Sequence, residues 1–271
     1  MVVVKNILTD NWNQQQKIFS DNLLAIRNKP GKTAIHDWRV AVKKLRSYLR
    51  LRELITGEKW KEEFAVVKKL FKIMGRYRDV EMSLFLLDKY VKKNILHIPS
   101  FRKQLKSTLA ITRTWIKKAV AGFDENVLNS LSLQVHSSLL IFSNEESEAL
   151  IKEQVKKKSE TARTLTGEFR KNAHEIRKLL KDIYYWLKLL PANAVLNETE
   201  MKQLDKTLDC LGKWQDLFVF DKKLRWLRKE YLVKETDEFK EAERLKLIIK
   251  EVKEKLLAEA EEKFHQLFEE K

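Results

Sequence analysis

Apolar side chains recur every three or four positions through most of this 271-residue chain, whereas the strict alternation typical of strands is scarce. The pattern predicts an all-α fold of about ten amphipathic helices, several of them about 20 residues long, as in helical bundles. Helix ends are expected at glycine and proline, which are the strongest local breaks in a helical pattern. The predicted breaks are at residues 29–31, 56–57, Gly75, Pro99, 122–124, Gly167, Pro191 and Gly212.

Composition supports a helical fold, because the chain has only 6 Gly and 3 Pro with which to form hairpins and tight loops. Its single cysteine, Cys210, excludes an internal disulfide and a cysteine-based zinc site. The N-terminus lacks the features of a secretion signal, and no apolar run approaches the roughly 20 residues of a membrane-spanning helix. We therefore expect a soluble, cytoplasmic protein without a membrane partner.

Positive charge is concentrated in the first half of the chain. The whole sequence has 55 Lys and Arg against 39 Asp and Glu, a formal net charge of +16. Residues 1–138 hold 27 basic and 12 acidic residues, whereas residues 139–271 hold 28 and 27. A local excess favours a polyanionic partner, because an unbalanced field destabilises the fold and attracts opposite charge. A generic charged surface is the alternative interpretation.

The chain contains an internal repeat. Residues 36–39 read His-Asp-Trp-Arg and residues 174–177 read His-Glu-Ile-Arg, an offset of 138. A second segment, Gly-Arg-Tyr-Arg-Asp at 75–79, matches Gly-Lys-Trp-Gln-Asp at 212–216 with an offset of 137. Two segments with nearly the same offset indicate a duplicated helical unit. The predicted copies are residues 1–138 and residues 139–271.

Each copy places a cationic row beside an apolar helix face. At about 100° per residue, the row of the first copy occupies a stripe about 80° wide, separate from the core face formed by Trp38, Val42, Leu45 and Leu49. In the second copy, Ile176, Leu180, Ile183 and Leu187 form the core face, and Tyr184 lies in the row. The first row is His36, Arg39, Lys43, Arg46 and Arg50, and the second is His174, Arg177, Lys181 and Lys188.

A solvated charged face is the usual interpretation of such a row. Here, however, Glu53 is the only carboxylate near the first row at helical spacing, so salt bridges within the helix do not explain it. Five cationic or protonatable groups on one stripe repel one another unless an anion lies along them. Each histidine is either a hydrogen-bonded core residue or a donor to that anion. A metal site is disfavoured, because each row offers only one histidine, with no cysteine or second histidine paired with it.

The pattern His-x-x-Arg-x-x-x-Lys-x-x-Arg, formed by His36, Arg39, Lys43 and Arg46, resembles the CHAD domain, the conserved histidine α-helical domain. The resemblance includes the later Gly-x-x-x-Asp segment and the weaker second copy, and it covers nearly the whole chain. It implies two four-helix bundles related by pseudo-twofold symmetry, with a basic cavity between them that binds inorganic polyphosphate. The implied binding residues are the two rows, apart from Tyr184, which replaces the equivalent of Arg46. Lys178 is a plausible further ligand at the edge of the second row.

A third row is formed by Arg102, Lys106, Arg113 and Lys117, which fall within about 60° on one helix face. It could line the same cavity or form an exposed basic surface. Arg163 and Arg170 continue the phase of the second row upstream of His174. Asp79 and Asp216 are expected to orient cations or to cap a helix, and no catalytic role is assigned to them. No cofactor or metal is predicted.

The chemistry predicted from the sequence is non-catalytic polyphosphate binding, with a location in the cytoplasm and a possible association with polyphosphate granules. Nucleic-acid binding by the same cations is an alternative, although the sequence lacks a base-reading motif. A role as accessory to a triphosphate- or polyphosphate-processing enzyme is another. The Glu-x-Glu-x-Lys signature of triphosphate tunnel enzymes occurs at residues 259–263. That segment belongs to a charge-rich helix predicted at about 235–271 and not to the strand such a barrel needs.

Overall fold

The chain is all-α, as its periodicity predicts. A computed structural model describes residues 7–139 and 142–268, and this part of the chain contains nine α-helices, one short 3-10 turn and no strand. None of these helices is both long and apolar enough to cross a bilayer. The α-helices are α1 (Ile7–Asn28), α2 (Lys32–Thr56), α3 (Ala65–Asn94), α4 (Pro99–Ala121), α5 (Asn126–Leu139), α6 (Asn144–Thr164), α7 (Phe169–Leu187), α8 (Glu198–Glu230) and α9 (Asp237–Phe268).

Most helix ends follow the predicted breaks, with α2 ending before Gly57 and Pro99 lying in the first turn of α4. Gly57 has a φ of 75°, and its N–H donates to a carbonyl of the last turn of α2. The starts of α6 and α8 are capping boxes, in which Ser143 or Asn197 exchanges hydrogen bonds with a glutamate three residues later. The final helix, α9, agrees with the predicted element, and its predicted residues 269–271 lie outside the described part of the chain.

Two predicted breaks are wrong, because Gly75 and Gly212 lie inside the long helices α3 and α8. Both helices continue through glycine at this position. At Gly75, the missing side chain makes room for a neighbour, since a Cβ there would lie 2.9 Å from Nη1 of Arg39. At Gly212, a Cβ would meet no atom within 4 Å. The first glycine is therefore explained by close packing, and nothing in the structure explains the second.

The main hydrophobic core lies around the central helices α2 and α7. The predicted apolar faces of both helices are buried, including Trp38 and Leu45 of α2 and Ile176 and Leu180 of α7. The neighbouring helices α1, α5 and α6 pack around them. The first halves of α3 and α8 and the second halves of α4 and α9 complete this core. Burial of these faces fixes the direction in which the adjoining cationic rows point.

A second core, which we call the far core, lies at one end of the molecule. It is built by the second halves of α3 and α8 and the first halves of α4 and α9. Glu238 at the start of α9 accepts hydrogen bonds from the backbone N–H and the hydroxyl of Ser100 in α4, at 2.7 and 2.8 Å. The α3–α4 and α8–α9 turns are thus held side by side. Residues of the far core include Val80, Leu87, Phe101, Leu105, Phe220, Leu224, Leu245 and Ile249.

The order of the helices supports the predicted repeat. Helices α6, α7 and α9 begin 137 or 138 residues after α1, α2 and α4, and α8 begins 133 residues after α3. Helix α5 is additional and lies at the end of the first predicted copy. The predicted boundary between residues 138 and 139 falls in its last turn, next to residues 140 and 141, which lie outside the described part of the chain. The division into two copies remains a prediction.

The two glycines allow a matched test of packing. Alanine at Gly212 should raise the free energy of unfolding by about 1 kcal/mol, because it is a better helix former and meets no neighbour. Alanine at Gly75 should lose most or all of that gain, because it displaces the guanidinium of Arg39. Urea denaturation of both variants measures the difference. Equal stabilisation by the two substitutions would contradict the close approach at Gly75.

Candidate anion-binding cleft

The cationic rows of α2 and α7 come together because the two helices share one core. Their apolar faces are buried against each other and against the surrounding helices. The indole N–H of Trp186 in α7 donates to the backbone oxygen of Ser47 in α2 at 3.1 Å, which ties the two helices directly. Since each row borders its apolar face, both rows line the space beside this contact.

The space between the rows is a cleft of about 570 Å³, which we call the α2–α7 cleft. It receives three predicted residues from each helix, and three further lysines from α6, from α3 and from the segment before α3. Cations therefore outnumber carboxylates three to one on its walls. The cations are Lys43, Arg46, Arg50, Arg177, Lys178, Lys181, Lys61, Lys68 and Lys158, and the carboxylates are Glu53, Glu175 and Asp182.

Lys43 is the cleft residue with the most strongly lowered pKa. Burial lowers the pKa of its ammonium group to about 7, and the positive charges of Arg39, Arg177 and Lys181 contribute to the same shift. The carboxylate of Asp216 opposes it only in part. Because the ordinary lysine pKa is about 10.4, Lys43 loses much of its charge near neutral pH. A bound anion would reverse this effect by favouring the protonated form.

Two arginines in the cleft have buried nitrogen atoms without partners. The Nε atoms of Arg46 and Arg177 are buried and have no hydrogen-bond partner among the described residues. Burial lowers the pKa of both guanidinium groups. A buried N–H without an acceptor costs about 1–3 kcal/mol. Anionic oxygens placed between α2 and α7 would supply the missing acceptors and charge.

One end of the cleft is neutralised by Asp182, a buried carboxylate of α7. It accepts hydrogen bonds from Nε of Arg50 at 2.9 Å, from Nζ of Lys158 at 3.0 Å and from the hydroxyl of Ser47 at 2.8 Å. Burial alone would raise the pKa of Asp182, but the hydrogen bonds and charges of Arg50 and Lys158 lower it below its ordinary value. Arg50 is therefore paired across the two helices, with a carboxylate that the spacing along α2 could not reveal.

The two histidines stand outside the cleft wall, on exposed positions of α2 and α7. The surrounding protein and the positive charge of Arg78 lower the pKa of His36. Nδ1 of His174 lies 3.1 Å from the side-chain oxygen of Gln215 in α8. Neither ring is a buried core residue, so both remain available as donors to an anion that extends beyond the cleft.

Other predicted row residues contact aromatic rings. The guanidinium carbon of Arg39 lies 4.1 Å from the centre of the Phe71 ring, and its Nη1 donates to the Phe71 carbonyl at 2.7 Å. Lys188 is exposed, with its ammonium nitrogen 5.5 Å from the ring centre of Tyr184. Arg39 thus lies behind Lys43 and contributes to the cleft through its charge, whereas Lys188 lies at the far end of α7.

The structure places the α4 row away from the α2–α7 cleft. Lys106 and Arg102 line a different cavity of about 490 Å³ near the α3–α4 turn, where Arg102 pairs with Asp88 at 2.6 Å. Arg113 lies over the ring of Tyr77, and Lys117 is exposed. Of the upstream pair, Arg163 lies over Phe268 and Arg170 pairs with Glu254. The rows of α2 and α7 alone account for the predicted convergence.

Comparison with known protein families gives a match over most of the chain. The sequence model of the CHAD domain family matches residues 14–225, which include both central helices and all the cations on the cleft walls. The chain belongs to the CHAD domain family. The CHAD match ends within α8, so the last turn of α8 and the whole of α9 lie beyond it.

A solved CHAD structure has the same fold. The crystal structure of the CHAD domain from the plant Ricinus communis superposes with a TM-score of 0.68 at 15% sequence identity. The alignment covers 95% of this chain and 88% of the plant chain, so it extends into α9. A search of curated proteins finds no matching relative.

The CHAD Gly-x-x-x-Asp segments bring their aspartates close to the rows. Burial raises the pKa of Asp79 and of Asp216, although the charge of Arg39 opposes the shift at Asp79 and that of Arg78 opposes it at Asp216. Both residues lie inside long helices, so the helix-capping alternative is wrong. Within the described chain, neither carboxylate lies within 4.0 Å of a basic nitrogen. The two aspartates therefore interact with the neighbouring arginines, such as Arg39 and Arg78, through longer-range electrostatics and without direct ion pairs.

Several residues of the cleft were missed by sequence reasoning. Lys61 and Lys68 lie before and within the first part of α3, and Lys158 lies on α6. They share no helix face with the rows, and only the packing of α3 and α6 beside α2 brings them in. Asp182 directly follows Lys181, but on its own helix it points away from the row. Asp182 could have been identified only by placing α2 and α7 side by side, so that Arg50 lies next to it.

Replacing Asp182 with asparagine should lower the free energy of unfolding by about 3 kcal/mol at neutral pH, because Arg50 and Lys158 lose their buried partner. The pKa of Asp182 is depressed by folding, so its stabilisation is present at neutral pH and disappears as the pH falls below the ordinary aspartate range. Urea denaturation at several pH values tests both effects.

The matched control for this substitution is Asp209→Asn, which breaks an exposed pair with Lys213 at 2.5 Å. It should cost less than about 1 kcal/mol, as exposed ion pairs do. An equal loss in the two variants, or a gap between Asp182→Asn and the parent protein that persists at acidic pH, would contradict the role assigned to Asp182.

Proposed function

We propose that this CHAD domain binds inorganic polyphosphate in the α2–α7 cleft and carries out no catalysis. The observation that supports the proposal is the convergence of two cationic rows on one cleft, in which the pKa of Lys43 is lowered to about 7. Such an arrangement is unfavourable without an anion and becomes favourable with one. A cytoplasmic location is part of the proposal.

The walls of the cleft suit a uniform polyanion. Polyphosphate has a flexible chain of phosphates and no bases, so it requires converging charges without base recognition. Arginines supply bidentate contacts to phosphate oxygens, and lysines supply adaptable point charges. Nucleic acid would also need stacking platforms. The aromatic side chains of the cleft are Trp60, Phe64 and Tyr185, of which Trp60 and Phe64 are buried and Tyr185 is half-buried.

Removing two central cations should weaken polyphosphate binding selectively. The double variant Lys43→Met with Arg177→Met removes one cation from each row. We expect a loss of affinity of at least about a hundredfold, since contacts to charged groups contribute about 1.5–3 kcal/mol each. Isothermal titration with polyphosphate at physiological salt measures it. A parallel titration with a single-stranded oligonucleotide of equal charge should show weaker binding to the parent protein.

The control variant is Lys250→Met with Lys255→Met, which also removes two basic side chains, here from exposed positions of α9, a helix that contributes nothing to the cleft. Its affinity should stay within about threefold of the parent value, as expected for screened surface charges. Equal losses in the two double variants would sink the proposed cleft, and equal affinity for the oligonucleotide would sink the choice of polyphosphate. Release of phosphate in the presence of Mg²⁺ would contradict the absence of catalysis.

Polyphosphate binding should be coupled to proton uptake by Lys43. The groups that face Lys43 are Arg39 of α2, Arg177 and Lys181 of α7, and Asp216 of α8. Since the pKa of Lys43 is about 7 without the anion and rises when phosphate approaches, binding should take up nearly one proton per site at slightly alkaline pH. Affinity should therefore fall as the pH rises from 7 to 9.

Calorimetry in two buffers of different ionisation enthalpy measures the proton uptake directly. The variant Lys43→Arg keeps the charge in a group that stays protonated, so its affinity should change little over the same pH range. Identical pH profiles for Lys43→Arg and the parent protein would show that Lys43 is not the group that takes up the proton.

A further inference from the structure

Most of the excess positive charge of the chain lies on α3 and α4, and the cleft uses little of it. Together these two helices hold 14 Lys and Arg against 3 Asp and Glu. The corresponding helices of the second predicted copy, α8 and α9, hold 15 basic and 16 acidic residues. Of the cations on α3 and α4, only Lys68 lines the α2–α7 cleft. The balanced second pair shows that the fold itself does not require such an excess.

A row of cations on α3 begins at this lysine. Lys68, Lys72 and Arg76, which we call the α3 row, follow one another at four-residue spacing, so consecutive members lie about 6 Å apart along the helix axis. All three side chains are exposed. In the part of the chain that the structure describes, none of them forms a salt bridge with a carboxylate. Like charges at this spacing repel one another, so the row is unfavourable unless an anion lies along it.

The α3 row leads from the cleft across the exposed face of α3 to α4. Each four-residue step turns by about 40° around the helix. Near the start of the row, the ring centre of Phe71 lies 5.5 Å from the guanidinium carbon of Arg46, which lines the cleft. At its end, the guanidinium carbon of Arg76 lies 5.5 Å from the ring centre of Trp115 in α4. The row therefore forms a continuous strip of positive charge that starts in the cleft wall.

The equivalent face of α8 carries paired charges. With the offset of 137 that relates Gly75 to Gly212, the α3 row corresponds to Asp205, Asp209 and Lys213. Lys213 pairs with Asp209 at 2.5 Å. A helix at this position in the fold is thus formed equally well with carboxylates in the row. The unpaired cations are specific to α3, on one side of the cleft.

We propose that the α3 row is a second binding segment for the polyphosphate chain, which passes from the α2–α7 cleft at Lys68 onto Lys72 and Arg76. This segment rests on the function proposed for the cleft and adds to it a preference for chains long enough to leave the cleft. Lys68 belongs to both the cleft wall and the row, so a chain held in the cleft reaches the next cation within the same complex. Such a linked contact benefits from a high effective concentration.

Removal of the outer part of the row should weaken the binding of long chains alone. Tripolyphosphate is short enough to lie within the cleft, whereas long-chain polyphosphate must leave it. In the variant Lys72→Gln with Arg76→Gln, isothermal titration should show a loss of affinity of about fivefold to tenfold for long-chain polyphosphate, as expected for two exposed charge contacts. The affinity for tripolyphosphate should change by less than about twofold. The salt dependence of long-chain binding should also become shallower, because fewer counterions are released.

The matched control is Lys206→Gln with Lys213→Gln, which removes two exposed lysines from the equivalent face of α8. It should leave both affinities within about twofold of the parent values. An equal loss of long-chain affinity in the control, or equal losses for the two ligands in the α3 variant, would show that the row acts only through the general charge of the protein. Unchanged long-chain affinity in the α3 variant would overturn the second segment outright.

The two proposals fail in different ways. The cleft variant Lys43→Met with Arg177→Met should weaken the binding of tripolyphosphate as well as that of long chains. Tripolyphosphate affinity that is unchanged in this variant would contradict the function proposed for the cleft, whereas the outcomes above contradict only the α3 row. If the α3 variant loses affinity for a single-stranded oligonucleotide but keeps its affinity for polyphosphate, the row is a nucleic-acid surface and the second segment is wrong.

Discussion

The burial of the apolar faces of α2 and α7 in one core is the constraint on which the candidate site depends. Each face adjoins a cationic row, so the same packing that removes Trp38 and Leu180 from water also brings Lys43 close to Arg177. The hydrophobic gain is large enough to hold like charges together. The cost appears in the lowered pKa of Lys43 and in the buried Nε atoms without acceptors. Asp182 offsets this cost at only one end of the cleft, and the cations of the remainder have too few carboxylates to balance them.

The sequence predicted the all-α fold, the phase of the two central helices and the identity of the central cations, because these depend on the fixed geometry of a helix. Residues that meet only through packing were beyond its reach. Asp182 neutralises Arg50 across the two helices, and Lys158 arrives from α6. Gly75 was misinterpreted as a break, because the sequence does not reveal that Arg39 needs the space above it. Local rules treat glycine as a helix break, whereas Gly75 is explained by a contact with a residue distant in the sequence.

Equivalent positions of the two predicted copies have different surroundings. Arg46 lines the cleft, while its equivalent, Tyr184, is one of the groups near Lys188. His36 feels the charge of Arg78, whereas His174 meets the amide of Gln215. The first copy thus supplies more cations, in agreement with the distribution of charge along the chain. An extended polyanion would therefore meet an asymmetric site, despite the similar order of helices on its two sides.

The far core can form only late in the synthesis of the chain. Its apolar residues come from α3 and α4 on one side and from α8 and α9 on the other, which are separated by more than a hundred residues of sequence. During synthesis, the hairpin of α3 and α4 leaves the ribosome with Leu87 and Phe101 on an apolar face whose partners, among them Phe220 and Leu245, have yet to be made. This half of the molecule is thus exposed to aggregation or in need of chaperone protection until translation is nearly complete.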